Sequence, residues 1–438
     1  MRPDERRARL ERVRPDELRA RLEQLRAATA ELRARPAGET LDALAGVLDA
    51  WRDPASSVRV ALEAELPAAT GFSPAMVREG LARALEGWSG DALRALVDAE
   101  LGGAAALDGR GASAATGFDS TGVILAGAIP MPTLLALVAP LVLRSAVLAK
   151  PASRDPVTPR LVARSLAEAD PALGRAIAVV EVPREDEELG AVLLEADCVV
   201  ATGSDETVSS LRARVRGARR LVTHGHRLSL AALGPDAARG PALVGVAEAL
   251  ALDIALWDQL GCLSPVSIHV VESDPGACDR VAEALAAALA VAEERWPRGR
   301  VPAAAAAAIG AERDEAELRG ATGRPVRVFA GPGSTWTVVR EDAPALRSSP
   351  LHRFVRVHPA GSSRELVTAL APVSRHLAGV ALAGFGARTR EVSRALAALG
   401  ASRVCAPGTL QTPPLAWRHE GLGVLLPLAR FTDLELAK

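Results

Sequence analysis

The 438-residue chain has no tyrosine and no asparagine, and only two lysines, Lys150 and Lys438, among its 52 basic residues. Its four cysteines, Cys198, Cys262, Cys278 and Cys405, lie far apart and form no CxxC pair. That spacing excludes the common zinc motifs and a disulfide framework, so no metal is expected, and a reducing, cytoplasmic setting fits. A formal net charge of −1 lacks the basic excess of a nucleic-acid footprint. The opening MRPDERRARLERVRPDEL has no apolar stretch of the kind a secretory signal needs, and its interleaved glutamates predict a solvated helix. The longest apolar run, residues 133–149, is interrupted by Pro140 and Arg144 and is short for a bilayer, so no membrane span is expected. No GxGxxG follows a strand-like segment; GFGART (384–389) has only its first two glycines.

What is present is apolar and periodic. Hydrophobic residues make up 49% of a chain long enough for two or three domains. Up to about residue 100, apolar positions recur at three and four, which predicts helices such as DELRARLEQLRAATAELRA and SPAMVREGLARALEGW. Residues 102–119 are rich in Gly, Ala and Ser and read as a connection. From about residue 121 short apolar strands alternate with helices: TGVILAGA, AVLAK, AIAVVEV, DCVVATG and RLVTH, then a second set from VSIHVVE to GVALAG. Such alternation implies parallel sheets covered on both faces. Lys150 stands out because arginine has replaced lysine elsewhere, yet a compact ammonium was kept at the end of AVLAK. ATGSDETVSS (201–210) offers a strand–Gly–Ser–helix turn, with Gly203 and Ser204 where helix amides can meet an anion.

The order of four motifs is informative: Ala128-Ile129-Pro130 after a strand, Lys150-Pro151 after the next, Thr202-Gly203-Ser204 after a third, and Gly261-Cys262 in WDQLGCLSP. This order resembles the aldehyde dehydrogenase superfamily. WDQLGCLSP and GTLQTPPLAWRHEG (408–421) look more narrowly like acyl-CoA reductases of the bacterial-luminescence type. The resemblance runs from about residue 120 to the C-terminus. It implies an aldehyde-dehydrogenase-like α/β fold of two doubly wound domains. The expected division is a helical region over 1–105, a nucleotide-binding domain over 106–260, and a catalytic domain with the C-terminal segment over 261–438. It further implies an NADPH-dependent reductase that takes a long-chain fatty acyl thioester, acyl-CoA or acyl-protein, to the aldehyde through an acyl-cysteine. Cys262 would be the nucleophile. Lys150 would hold the cofactor's adenosine ribose. In NAD-preferring relatives a glutamate stands three positions on; here Ser153 and then Arg154 follow, which favours NADPH over NAD. Gly203 and Ser204 complete the expected cofactor-binding set. An acyl-transferring partner protein and a homo-oligomer are the partners the family implies.

Two positions depart from the pattern. The strand that carries a catalytic glutamate in hydrolytic relatives reads LVTHGHRLSL here, without an acid. That suits an acyl-enzyme that must not meet activated water. His224 and His226 could assist the thiol or be structural. The oxyanion-hole asparagine falls at Ala128. Losing one such donor typically slows chemistry ~10²–10³-fold. Either another group compensates, with Gln259 as the candidate, or the chain is a weakly active or inactive homologue serving as a binding subunit. Arg418 and His419 in WRHEG would close the cleft or pack an interface.

Overall fold

Strands that are apolar along their whole length need cover on both faces, and the chain supplies it twice. The structure, a computed structural model, describes residues 13–110, 113–183 and 185–435. The helix expected for residues 1–12 therefore lies outside the described residues, as does Lys438. Two compact units emerge. One takes the chain up to Asp53, Ser89–Gly225 and the segment from Gly423; the other takes Pro54–Trp88 and His226–Leu422.

The first unit carries β1 (Ser113–Thr116), β2 (Ser120–Ile124), β3 (Ala146–Lys150), β4 (Ile177–Val179), β5 (Cys198–Thr202) and β6 (Arg220–His224). Five of these form a sheet in the order β4-β3-β2-β5-β6, parallel throughout. β2, β3 and β5 are buried almost to their last residues, which is why they read as continuous apolar runs. The helices Pro130–Val142 and Val157–Ala169 are crossovers between parallel strands. Asp155 sets the start of the second: its carboxylate accepts from the Thr158 amide at 2.9 Å.

The helices Pro15–Arg33 and Ala37–Arg52 belong to this unit and form no separate region. Leu18, Leu22, Leu25 and Leu32 on the first are buried, each contributing about 2 kcal/mol. Thr29 on that helix accepts from the Ala146 amide of β3 at 2.8 Å, and Trp51 on the second donates to Ser165 at 3.1 Å.

The second unit holds β7 (Leu228–Leu233), β8 (Pro265–Val271), β9 (Arg327–Ala330), β10 (Thr337–Arg340), β11 (Phe354–Ala360), β12 (Leu377–Ala383) and β13 (Arg403–Cys405). Their order is β13-β12-β7-β8-β11-β10-β9, with β9 the antiparallel edge. The helices Ser57–Thr70 and Pro74–Leu85 join this unit. There Trp257 packs edge-on against Phe72, and a Cβ on Gly80 would lie 2.5 Å from its indole. The helix Gly240–Ala255 and the turn after it are apolar and long enough to cross a bilayer, on length and composition. Half of that stretch is buried within the unit, as a core helix is.

The contact units thus divide the chain differently from the segments 1–105, 106–260 and 261–438. The opening helices are shared between the units, the main boundary falls at Gly225, and the last segment returns to the first unit. The reason is packing: each amphipathic helix joins whichever sheet covers its apolar stripe. The stretch 102–119 is also more than a connection. It holds the helix Ala104–Leu107 and β1, whose antiparallel partner is β14 (Arg430–Asp433).

Candidate active site

In the first unit the candidate cofactor residues gather at the carboxyl edge of the five-stranded sheet. β2 is the strand from which the order runs both ways, and the crevice at such a switch point is where doubly wound sheets take ligands. After β2 comes Gly127 at φ +91°, with nothing within 4 Å of where a Cβ would stand. Ala128 follows, only 3% exposed, and Pro130 opens the next helix. Lys150 ends the neighbouring β3 and is half-buried. Ser153 and Arg154 stand exposed at the tip of a turn closed by the Asp155 amide on the Ala152 carbonyl at 3.1 Å. Beyond β5, the Gly203 amide donates to the His224 carbonyl at 3.1 Å, and the Ser204 hydroxyl accepts from the Thr207 amide at 3.3 Å, capping the helix Asp205–Arg214. Asp205 and Glu206 occupy that helix's first turn. Their charge works against a bound diphosphate, so cationic compensation falls to Lys150 and Arg154. With that condition the edge fits a dinucleotide: open space over Gly127, a capped helix start and an ammonium at a strand end.

In the second unit Cys262 sits just before β8, at the amino ends of parallel strands. It is half-buried, in a turn closed by the Ser264 amide on the Gly261 carbonyl at 2.9 Å. The Cys262 carbonyl accepts from the Ser229 hydroxyl at 2.7 Å, and that hydroxyl accepts from the Gly379 amide at 3.0 Å. Two residues on, Ser264 is bonded by the Gln411 amide. Gln411 lies in the GTLQTPPLAWRHEG stretch, which Asp253 anchors by accepting from the Gly408 and Leu410 amides at 2.6 and 3.0 Å. Burial pushes the Asp253 carboxyl up to about 7.

The electrostatics of the thiol are mixed. Burial, and secondly the charge of Glu420, push Cys262 up to about 11; its own backbone amide, the Arg227 guanidinium and the Leu263 amide pull the other way. Arg227 and Glu420 form an ion pair of which only 19% and 9% of the side chains are exposed. The other thiols are elsewhere: Cys198 begins β5, Cys405 ends β13 and Cys278 lies in the helix Ala277–Arg295. Burial drives Cys198 up to about 12 and Cys278 to about 11.

The sequence model of the acyl-CoA reductase (LuxC) family matches residues 32–432. The chain belongs to that family. Among curated proteins no sequence matches it. Its fold is that of the aldehyde dehydrogenases. Aldehyde dehydrogenase 21 from Physcomitrella patens superposes with a TM-score of 0.73 at 15% identity, covering 96% of this chain and 90% of that one. The NAD-dependent benzaldehyde dehydrogenase from Corynebacterium glutamicum gives 0.71 at 15%, over 96% and 90%. The NADP-dependent glyceraldehyde-3-phosphate dehydrogenase from Bacillus halodurans gives 0.72 at 14%, over 98% and 93%.

This acyl-CoA reductase is an oxidoreductase acting on acyl or aldehyde groups, and its site corrects one expectation outright. Gln259 does not replace the missing asparagine. Its Nε2 donates to the Pro265 and Phe354 carbonyls, both at 2.9 Å, and its Oε1 accepts from the Phe354 amide at 2.8 Å. Both N–H groups are spent and the side chain is fully buried. His226 is exposed, with its carbonyl against His376 at 3.1 Å, and His224 closes β6 in the other unit. Arg418 is exposed, and His419 packs on Trp417 with ring centroids 4.9 Å apart. Ser229 and Glu420 are the site residues that sequence reasoning missed. Glu420 stood inside the motif WRHEG; nothing local marks Ser229.

Proposed function

We propose that the chain reduces a long-chain fatty acyl thioester to the aldehyde, with NADPH as reductant and Cys262 as the acyl carrier. The observation that carries this reading is the place of Cys262. Of the four cysteines it is the one that the fold puts on a loop, with backbone amides against its sulfur.

The thiol gives up its proton as the sulfur attacks the thioester carbonyl. The carbon–sulfur bond to the donor breaks, the donor leaves as the free thiol, and the acyl group stays on Cys262. The amides of Cys262 and Leu263 then take the place of the asparagine absent at Ala128 in stabilising the oxyanion. When bound, NADPH would supply a hydride to that carbonyl carbon, leaving an alkoxide of the hemithioacetal on Cys262. As the carbonyl re-forms, the carbon–sulfur bond to Cys262 breaks, the aldehyde departs and a proton from solvent restores the thiol. Because LVTHGHRLSL places no carboxylate on β6 or β7, no carboxylate there activates water against the acyl-enzyme. Lys150 would hold the adenosine ribose, and Ser204 with Gly203 the diphosphate. Exposed Arg154, next to Ser153 where a carboxylate would select NAD, supports a 2′-phosphate. The acyl donor is acyl-CoA or an acyl-carrying protein. A reducing, cytoplasmic setting suits four free thiols.

The second reading, a weakly active binding subunit, draws on Ala128 and on the committed amide of Gln259. One experiment separates the two. Incubation with dodecanoyl-CoA should add one acyl mass that maps to Cys262, and NADPH should discharge it as aldehyde. An unmodified thiol in protein that still binds NADPH favours the binding subunit.

A further inference from the structure

Resting on the reading of Cys262 as nucleophile, the geometry points to Gln259 and Ser229 as positioning residues. Gln259 staples the base of the loop 260–264, Ser229 fixes the Cys262 carbonyl, and together they set the direction in which the sulfur meets an acyl carbon.

The loop leaves a helix and enters β8. Its two ends are joined by one carboxamide: Gln259 stands before the loop, and the Pro265 carbonyl that it binds at 2.9 Å is the first of β8. The same amide makes a reciprocal pair with the backbone of Phe354, the first residue of β11. β8 and β11 are parallel neighbours, so the side chain extends their ladder past the point where the backbone of the loop departs.

Backbone conformation shows how far the fold goes to place this amide. Trp257, Asp258 and Gln259 all adopt left-handed angles, φ +55°, +51° and +62°. Opposite them Leu351, His352 and Arg353 do the same, at +63°, +57° and +65°. Non-glycine residues hold such angles only where their surroundings over-determine them. Here the two triplets determine each other. Arg353 Nη2 and Nε donate to Asp258 Oδ1 at 2.7 and 3.1 Å, and Asp258 Oδ2 accepts from the Gly299 amide at 3.0 Å. Arg353 continues to Glu293 at 2.6 Å and the Trp296 carbonyl at 2.8 Å. A loop that merely joined a helix to a strand would need none of this.

Ser229 works from the other side. Its hydroxyl bridges the Cys262 carbonyl and the Gly379 amide, so β7 and β12 both hold the peptide that follows the sulfur. Gly379 leaves no slack: a Cβ there would lie 3.0 Å from that hydroxyl and 3.1 Å from Leu263. Ser229 and Gln259 are both fully buried, so they act through Cys262 and not on substrate.

Orientation matters to acyl transfer far more than to alkylation by a small electrophile, and that contrast is the test. In Gln259→Met and Ser229→Ala, the rate of Cys262 acylation by dodecanoyl-CoA, followed by intact mass, should fall ~10²-fold and ~10-fold. Iodoacetamide alkylation of Cys262 and its pH profile should stay within about threefold of wild type. Acylation at the wild-type rate in either folded variant overturns the inference, as does a parallel fall in acylation and alkylation. If Gln259→Met fails to fold, Ser229→Ala decides alone, because it removes only a hydroxyl. Cys262→Ala separates the two levels: turnover surviving in that variant overturns the nucleophile reading itself, whatever Gln259 and Ser229 do.

Discussion

The two sheets are built on one plan, yet their candidate residues stand at opposite edges. In the five-stranded sheet the switch point at the carboxyl end of β2 has Gly127 over empty space. In the seven-stranded sheet the order also reverses, between β7 and β12, but there the backbone closes the crevice. Gly234 donates to the Ala383 carbonyl at 2.8 Å and Asp236 to the Gly384 carbonyl at 3.2 Å. A Cβ on Gly234 would lie 2.3 Å from the Gly384 carbonyl oxygen. The proposed nucleophile lies at the amino end, where Cys262 precedes β8. Shared architecture therefore does not assign the site; one switch point is open over Gly127 and the other is filled by backbone.

The comparison breaks most sharply at its closed edge. In Gly384→Ala the new Cβ would meet the Ala237 amide at 2.3 Å, on a residue at φ +80°. Two rigid backbones cannot both yield, so about 3–5 kcal/mol of stability should be lost. Gly127→Ala also pays for a left-handed angle but meets nothing, and should cost only about 1 kcal/mol. Urea unfolding measures both. Equal losses would mean that the second crevice is not sealed by backbone contact.

The open edge is tested by its ammonium. Lys150→Met should raise the dissociation constant for NADPH ~10–100-fold, the worth of one charged hydrogen bond, as followed by nicotinamide fluorescence. Alkylation of Cys262 should not change, because its charged neighbours, Glu420 and Arg227, belong to its own unit. Undiminished NADPH affinity would remove Lys150 from the cofactor site.

Much of this was legible in the chain, and the rest was hidden for a physical reason. Strands such as AVLAK and CVVAT announce themselves because parallel sheets bury both faces. β1 could not, since its partner β14 closes the described chain and the pair has exposed positions. Cys262 was singled out through the order of four motifs. Gln259 was noticed in the same stretch and given the wrong task, because the backbone it pairs with is 95 residues downstream. The boundaries of the units were likewise decided by where helices land, which periodicity alone does not record.

The smallest expected effect concerns the thiol's charge. Glu420 raises the Cys262 pKa and Arg227 lowers it. Exchanging the carboxylate for an amide removes the first influence and leaves the guanidinium unopposed, so both changes favour the thiolate. In Glu420→Gln the pKa should fall from about 11 by about one unit, and iodoacetamide alkylation at pH 8 should quicken ~10-fold. The direction carries the weight. A rise in the alkylation midpoint would show that Glu420 accepts the thiol proton, making it the base that LVTHGHRLSL lacks, rather than a charge that holds the proton in place.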